Sequence, residues 1–462
     1  MEKKFIFIAV ILCIGLAWLV FNKNQIRALL IAICFSYVLP VGWIFYHYTG
    51  IYVVDVPLIA IFVIALAQGR KVKFYIKGVS LPILLFILWM FVTGSMGMHF
   101  GWSLAETSKW IRAYLLFLAL VNFASKPKDF KAALWGLLAG FALEVFIGVY
   151  QWRIGTVGLW FLGERLFRAE WWRAHGTFYV PSFFGNYLIM LFPFIIRLFL
   201  FYRPPDKRET YVFATLTVFG LAALYATYAR GPWISFIAAN ALLFLYSLFK
   251  SHLRPKLKWP IALSILMGIA FTIKYLPVIE AQFGEDREQA AMSRIYLGEV
   301  ALRLIDDNML FGAGPGCYEL LSPRYVIPIE EYPTEHLSER VHNTYLLILS
   351  ENGIAGGILF LLILIVFFRI GARLLKSKSI LLANIGTGWI ACIMSIAISF
   401  VASPDIQSEQ ILAQFFLLAG FTQAGNEIEK QMQRRGRFTK FKASSKAPTH
   451  LNTHPVIEVK NS

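Results

Sequence analysis

Apolar runs, each near the length of one membrane crossing, succeed one another from Phe5 to Phe421 with short polar connections between most of them. A helix of about 20 apolar residues crosses a hydrocarbon core roughly 30 Å thick, and it satisfies its own backbone hydrogen bonds there. The pattern predicts helices over 4–21, 26–46, 51–68, 79–96, 110–124, 132–151, 183–202, 211–229, 232–249, 259–279, 343–368, 383–401 and 408–424. The first run follows Lys3 and Lys4. It lacks a small-x-small cleavage site before Asn22, so it reads as a retained helix. The expected fold is all-α, a polytopic transmembrane bundle of about 12 or 13 helices with no repeat.

One connection departs from this pattern. From Glu280 to Arg340 the chain runs for roughly 60 residues between two spans, enough to fold into short helices of its own. Within it Ile295, Leu302, Ile305 and Met309 recur near helical spacing among Arg294, Glu299, Arg303 and Asp306. An amphipathic helix over 292–310 is expected, ended by the turn Gly312, Gly314, Pro315 and Gly316.

Composition agrees with the pattern. The chain is 58% hydrophobic and 15% charged, where soluble proteins carry about 25% charged residues. The four cysteines, Cys13, Cys34, Cys317 and Cys392, show no CxxC spacing, so neither a disulfide framework nor a zinc site is indicated. Cys317 reads as a free thiol or a packing residue. The histidines are scattered without an HExxH pattern, and the one close pair, His450 and His454, lies in a polar tail. GAGPG at 312–316 lacks the Lys and Ser or Thr of a phosphate-binding loop. No metal and no cofactor are expected.

A net charge of +17 suggests nucleic acid in a soluble protein, but here its placement is topological. Lys and Arg fill alternate connections, around Arg70–Lys77, Lys126–Lys131, Arg203–Arg208, Lys250–Lys258 and Arg369–Lys378. The positive-inside rule puts these in the cytoplasm and the other connections outside, so no nucleic-acid partner is expected. Glu280 to Arg340 holds twelve acidic residues against five arginines and no lysine, a net of −7, and belongs outside. Thirteen spans with the C-terminus inside would set the N-terminus outside despite Lys3 and Lys4, which leaves its orientation open. The chain divides into N-terminal membrane helices (1–279), the large outer loop (280–341), C-terminal membrane helices (342–425) and a basic cytoplasmic tail (426–462). The tail is expected to be disordered and to touch anionic lipid head groups.

Against this background some arginines stand out: Arg165, Arg168 and Arg173 in one outer connection, Arg230 at a helix junction, and Arg294 in the acidic loop. Charges beside a membrane are costly unless paired or used, and the guanidinium fork suits phosphate oxygens. The competing account pairs each with a carboxylate, Arg165 with Glu164, Arg303 with Asp306 or Asp307. The segment TYARGP around Arg230 offers no acidic neighbour. His342 directly precedes an apolar span; it is either structural or a neutral imidazole able to take a proton from a sugar hydroxyl. Asn343 and Glu351 are supporting candidates, with Glu351 open to the alternative of a carboxylate hydrogen-bonded inside the bundle. Gly353, Gly356 and Gly357 have an explanation in close helix packing. Trp152, Trp160, Trp171, Trp172, Tyr179 and Tyr345 read as an interfacial belt, with stacking on sugar rings as the other use.

Four segments in order, RAHGTFYVPSFFGNYL from Arg173, YARGPWIS from Tyr228, SRIYLGEVALRLIDDNMLFGAGPGCYE from Ser293 and VHNTYLLILSENGIAGG from Val341, resemble the signature of the O-antigen ligase and polymerase family. Two departures are Ala229, where the family often has Ser before Arg-Gly, and Pro181-Ser182, where it often has Pro-Asn. The resemblance implies a membrane glycosyltransferase in the bacterial inner membrane with its site facing the periplasm. It further implies metal-independent, inverting transfer of a glycan from an undecaprenyl-diphosphate-linked donor to an acceptor hydroxyl of lipid A core or another glycan. On that reading Arg173, Arg230 and Arg294 hold the diphosphate, and His342 with Arg294 is catalytic. A polymerase joining O-antigen or exopolysaccharide repeat units shares the same motifs. A transporter of lipid-linked glycan or another anion is the rival from a different class, but inverted repeats and broken midplane helices are not evident.

Overall fold

The computed structural model describes residues 24–39, 42–46, 49–154, 166–168, 171–248, 288–327 and 340–444. The runs expected at 4–21 and 259–279, and with them Cys13, Arg165, His450 and His454, lie outside the described residues. Helix α1 (Gln25–Ser36) leads into a hairpin of β1 (Gly42–Tyr46) and β2 (Thr49–Tyr52), then α2 (Asp55–Ala67), α3 (Ser80–Met96), α4 (Phe100–Phe123) and α5 (Pro127–Ile154). A second hairpin, β3 (Leu166–Arg168) with β4 (Trp171–Arg173), precedes α6 (Pro181–Phe201), α7 (Lys207–Ala226) and α8 (Arg230–Leu248). The loop segment holds α9 (Glu288–Asp307) and the short α10 (Tyr318–Leu321). Then come α11 (Thr344–Leu374), α12 (Ile380–Ser399), a 3-10 turn at Asp405–Gln407 and α13 (Glu409–Ser444).

The fold is an all-α polytopic bundle. Among the described residues, α5, α6, α7, α11 and α12 are each long and apolar enough to cross a membrane. The tightest pairings are α6 with α12, α4 with α13, and α1 with α5. Each has a glycine at its crossing: Gly388 against Phe194, Gly420 against the Phe117 backbone, and Gly136 against Ile31 and Cys34. Missing side chains there let the backbones approach, which is how helices associate where hydrophobic driving force is weak. Aromatic rings fill what remains. Phe130 stacks on Phe421 with centroids 4.1 Å apart, and the buried Trp389 donates its indole N–H to the Phe367 carbonyl at 2.7 Å.

Three of the expected boundaries are corrected. The helix expected over 26–46 stops at Ser36, and its second half forms the β1–β2 hairpin. Pro40 and Gly42 interrupt helical propagation, and Trp43-Ile44-Phe45-Tyr46 is a run of strand formers. The helix expected to begin at 110 begins at Phe100, because its charges are paired inside the bundle rather than kept in water. Lys109 meets Glu106 at 2.7 Å; Arg112 meets Asp55 at 2.8 Å and also pairs with Glu409. The tail expected to be disordered from 426 stays helical to Ser444 as part of α13. Extending a helix that is already nucleated and packed costs little per residue, and the segment is rich in Gln, Lys and Arg, which favour it.

Candidate functional site

The site is built around a break in α11. At Gly353 the backbone turns to φ 64°, ψ −173°, and the helix divides. A break leaves the preceding carbonyls without helical partners, and buried backbone groups must find others. Here they do. Ser350 O accepts from Ala313 N (2.8 Å) and Glu351 O from Gly314 N (2.9 Å), while Ile354 N donates to Met309 O (2.9 Å); Asn352 O accepts the Trp89 indole N–H at 2.8 Å. The glycine turn after α9 is thus stitched into the gap, with positive φ at Gly312, Gly314 and Gly316. Glu351 is buried beneath it. Its Oε1 accepts from Gln407 Nε2 at 2.9 Å and from Tyr318 N at 3.4 Å, the bundle-internal hydrogen bonding that its alternative reading anticipated.

This stitching sets α9 beside the first arm of α11, both running the same way. A Cβ placed at Gly298 would meet Leu346, and one at Gly353 would strike the Leu310 carbonyl. Arg294 lies four residues before Gly298 and His342 four before Leu346, so the two stand at the same end of the helix pair. Arg294 is exposed and, among the described residues, has no carboxylate paired with it. Arg303 pairs with Glu299 at 3.2 Å, one turn back along α9, rather than with Asp306 or Asp307 as expected. Upstream of His342, Arg340 pairs with Glu319 of α10. Asn343 caps α11, accepting from Tyr345 N (2.9 Å) and Leu346 N (3.0 Å), so its side chain is occupied in holding the helix start.

The connection between α12 and α13 completes that end. Thr344 donates its N–H to Phe400 O at 2.8 Å and its hydroxyl to Ser403 O at 2.7 Å. Asp405 is fully buried and receives a hydrogen bond from Asn186 of α6, whose Oδ1 accepts from Ser399 Oγ at 2.7 Å. One residue away, Gly185 packs against Pro232 and Ala229. The start of α6 is therefore a shared wall between the segment behind His342 and the turn that carries Arg230.

That turn is strained. Tyr228 has φ 48°, the one positive value at a non-glycine among the described residues, in a region L-residues avoid. Tyr225, Trp152 and Trp233 surround it, and Trp152 Nε1 donates to its hydroxyl at 3.2 Å. Arg173 braces the same turn, donating Nε to Thr227 O at 3.0 Å and Nη2 to Tyr228 O at 3.5 Å, while Ala174 N donates to Ala226 O at 2.8 Å. The segment after Arg173 is fixed in turn by α5. Gln151 Oε1 accepts from His175 N (3.0 Å) and Gly176 N (2.8 Å), and Glu144 accepts from Thr177 N (3.0 Å) and Thr177 Oγ1 (2.7 Å).

The structure thus brings Arg173 to the Arg230 turn and sets Arg294 and His342 at the same end of the α9–α11 pair, with the α6 start joining that end to the Arg230 turn. Trp152 and Tyr345 serve packing rather than a belt alone, since Tyr345 donates its hydroxyl to Ala397 O at 2.8 Å. The polar residues of this region that sequence reading passed over are Glu144, Gln151, Asn186, Asp405 and Gln407. For Glu144 and Gln151, which fall inside the expected span 132–151, a signal was available, since buried polar groups within apolar spans are costly and so have a purpose. No group of His, Cys, Asp and Glu among the described residues is arranged to hold a metal ion.

Asp405 gives a pH test of this arrangement. Burial pushes its carboxyl up from 3.8 to about 7, with the Ser403 hydrogen bond opposing. Across that window the folded chain keeps a proton that the unfolded chain releases, so stability from this group is present at low pH and is lost as pH rises. Melting temperature in detergent should fall between about pH 5 and pH 7.5, and Asp405→Asn should flatten that fall. Equal slopes for the two proteins would show that Asp405 does not titrate this way.

Residues 215–361 match the O-antigen ligase family model. The matched stretch contains Arg230, Arg294, His342, Asn343, Glu351 and the Gly353 break, whereas Arg173 and Asp405 fall outside it. No curated protein matches the chain.

Proposed function

We propose that this chain, which carries an O-antigen ligase family domain over residues 215–361, transfers a glycan from an undecaprenyl-diphosphate carrier to an acceptor hydroxyl at the periplasmic face of the bacterial inner membrane. The family match supports a membrane protein that transfers glycans as a ligase or a polymerase. The observation that supports the finer reading is that the Arg230 turn, braced by Arg173, and the shared end of α9 and α11 that carries Arg294 and His342 are tied together through the start of α6.

In this mechanism the acceptor oxygen attacks the anomeric carbon from the side opposite the diphosphate, and inversion follows. The C–O bond to the carrier breaks, and its electron pair leaves with the diphosphate. His342 takes the acceptor's proton as the new glycosidic bond forms. Arg230 and Arg294 stabilise the charge that grows on the departing phosphate oxygens, which is where fixed cations contribute most to rate. Arg173 adds charge and holds the Arg230 turn in place.

Purified protein given an undecaprenyl-diphosphate-linked glycan and lipid A core should yield glycosylated core and free undecaprenyl diphosphate, and turnover should survive a chelator. In a deletion strain, unligated polymer should accumulate. Single repeat units left on the carrier, with no polymer ladder, would assign polymerisation instead. Failure of the purified protein to consume any diphosphate-linked donor would end the glycosyltransferase reading.

A further inference from the structure

The 3-10 turn Asp405–Gln407 and the first turns of α13 lie outside the stretch that matches the family, yet their side chains reach several other elements. Asp405 accepts from Asn186 of α6, and Glu409 pairs with Arg112 of α4. Gln410 Nε2 donates to Val38 O at 2.7 Å, and Gln414 Nε2 to Tyr187 O at 3.0 Å. Gln407 belongs to the same set and reaches α11, donating Nε2 to Glu351 Oε1 at 2.9 Å. Its own Oε1 is buried and, among the described residues, meets no donor. A buried amide with one group left unpaired is costly, and such exceptions gather where a side chain serves function.

Glu351 is the point where three segments meet. It is buried just before the break in α11, and besides Gln407 it accepts from the backbone N–H groups of Gly316 and Tyr318, at the end of the glycine turn and the start of α10. The cations nearby are each held by another carboxylate, Lys109 by Glu106 at 2.7 Å and Arg340 by Glu319. Glu351 is therefore placed chiefly by neutral donors. Gln407 brings its donor from the α12–α13 connection, which is itself fixed to α6: Asp405, two residues earlier, is tied to Asn186, beside the contact of Gly185 with Pro232 and Ala229.

The α9–α11 pair carries Arg294 and His342 at one end, and the glycine turn and Glu351 at the other. Between these ends the helices meet through an apolar cluster that includes Ala301, Leu304 and Leu347. Apolar packing has no preferred direction, whereas hydrogen bonds constrain both distance and angle, so the axial register of the pair is set at the Glu351 clasp. A slip of about 1 Å between reacting groups can cost about a hundredfold in rate. We infer that Gln407 is a positioning residue for transfer: through Glu351 it fixes the register of α9 against α11, and with it the place of Arg294 relative to His342 and to the Arg230 turn. This rests on the reading that Arg294 and His342 act in glycan transfer.

Gln407→Met keeps the length of the side chain and removes its donor. With an undecaprenyl-diphosphate-linked glycan, kcat should fall by about tenfold or more, while the donor's KM stays within about threefold, because the Arg230 turn has its own brace in Arg173. In an Arg294→Ala background the same substitution should cost less than about twofold more, since the group it places is gone. Exchanging the partners, Glu351→Gln with Gln407→Glu, restores an acid–amide pair and should recover most of the kcat that each single substitution loses. An equal loss in both backgrounds, or an exchanged pair no better than its single variants, overturns the inference. Amide hydrogen exchange in detergent needs no turnover. Residues 312–318 should exchange about tenfold faster in Gln407→Met than in the natural chain, while 226–230 keep their rate. Faster exchange throughout the chain would mark a general loss of stability, and unchanged exchange at 312–318 an independent glycine turn; either overturns the clasp. Since exchange is read whether or not any donor is consumed, failure of the clasp is told apart from failure of the glycosyltransferase reading.

Discussion

Alanine at Arg294, or at His342, should lower glycan transfer by at least about a hundredfold, the usual cost of removing one group that stabilises transition-state charge, while the bundle remains folded. Arg294 is exposed on α9, and exposed positions away from caps and cores change stability by about 0.5 kcal/mol or less. A loss of activity there cannot be blamed on unfolding. Arg294→Lys keeps the charge but not the planar fork, and should recover only part of the rate. For His342 the discriminating readout is pH. If its imidazole accepts the proton in the rate-limiting step, kcat should rise through the imidazole titration, and His342→Gln should flatten that profile as well as lower it. Retention of more than about a tenth of wild-type transfer by either alanine variant, with normal membrane levels, would remove that residue from the mechanism.

A second large effect is expected at a residue that touches no substrate. Gly353→Ala should destabilise the protein by about 3 kcal/mol or more and should abolish transfer even where folded protein is recovered. Two causes add. An alanine at φ 64° adopts a backbone conformation disfavoured for L-residues, and its Cβ would lie 2.2 Å from the Leu310 carbonyl oxygen. Relief requires the glycine turn to withdraw, which orphans the Ser350 and Glu351 carbonyls and separates α9 from α11. Gly298→Ala is the matched control. Its Cβ would meet only Leu346 at 3.9 Å, inside a helix where alanine is preferred by about 1 kcal/mol. The pair is read by thermal unfolding in detergent and by transfer in the reconstituted assay. Equal behaviour of the two variants would mean that the break does not hold the loop.

Much of this was legible in the chain because hydropathy is a long-range average. Spans such as 79–96 and 183–202 lie close to α3 and α6, and the amphipathic spacing within 292–310 marked a helix there, although α9 buries Tyr296, Leu297, Val300, Ala301 and Leu304 and leaves Ile295 and Leu302 exposed. What was not legible depended on partners distant in sequence. The charges at Glu106 and Lys109 made the start of α4 look aqueous, since nothing local revealed that elements distant in sequence would bury the pair they form. Gly353 looked like a packing glycine because its hydrogen-bonding substitutes come from Ala313 and Gly314, some forty residues upstream. Arg294 and His342 could be named from type and position, but Asp405 and Asn186 could not, because a single buried hydrogen bond between α6 and the α12–α13 connection leaves no periodic trace.

The strained turn at Tyr228 carries one more consequence. Arg230 does not have to search for its position when a substrate arrives, because the aromatic cluster and Arg173 have fixed its backbone during folding. With that backbone already in place, substrate arrival needs no reordering of the turn itself, and what is left to order is the arginine side chain, at a cost on the order of 1 kcal/mol. Donor capture should then be limited by lateral diffusion of the carrier in the bilayer rather than by rearrangement of the protein at this turn.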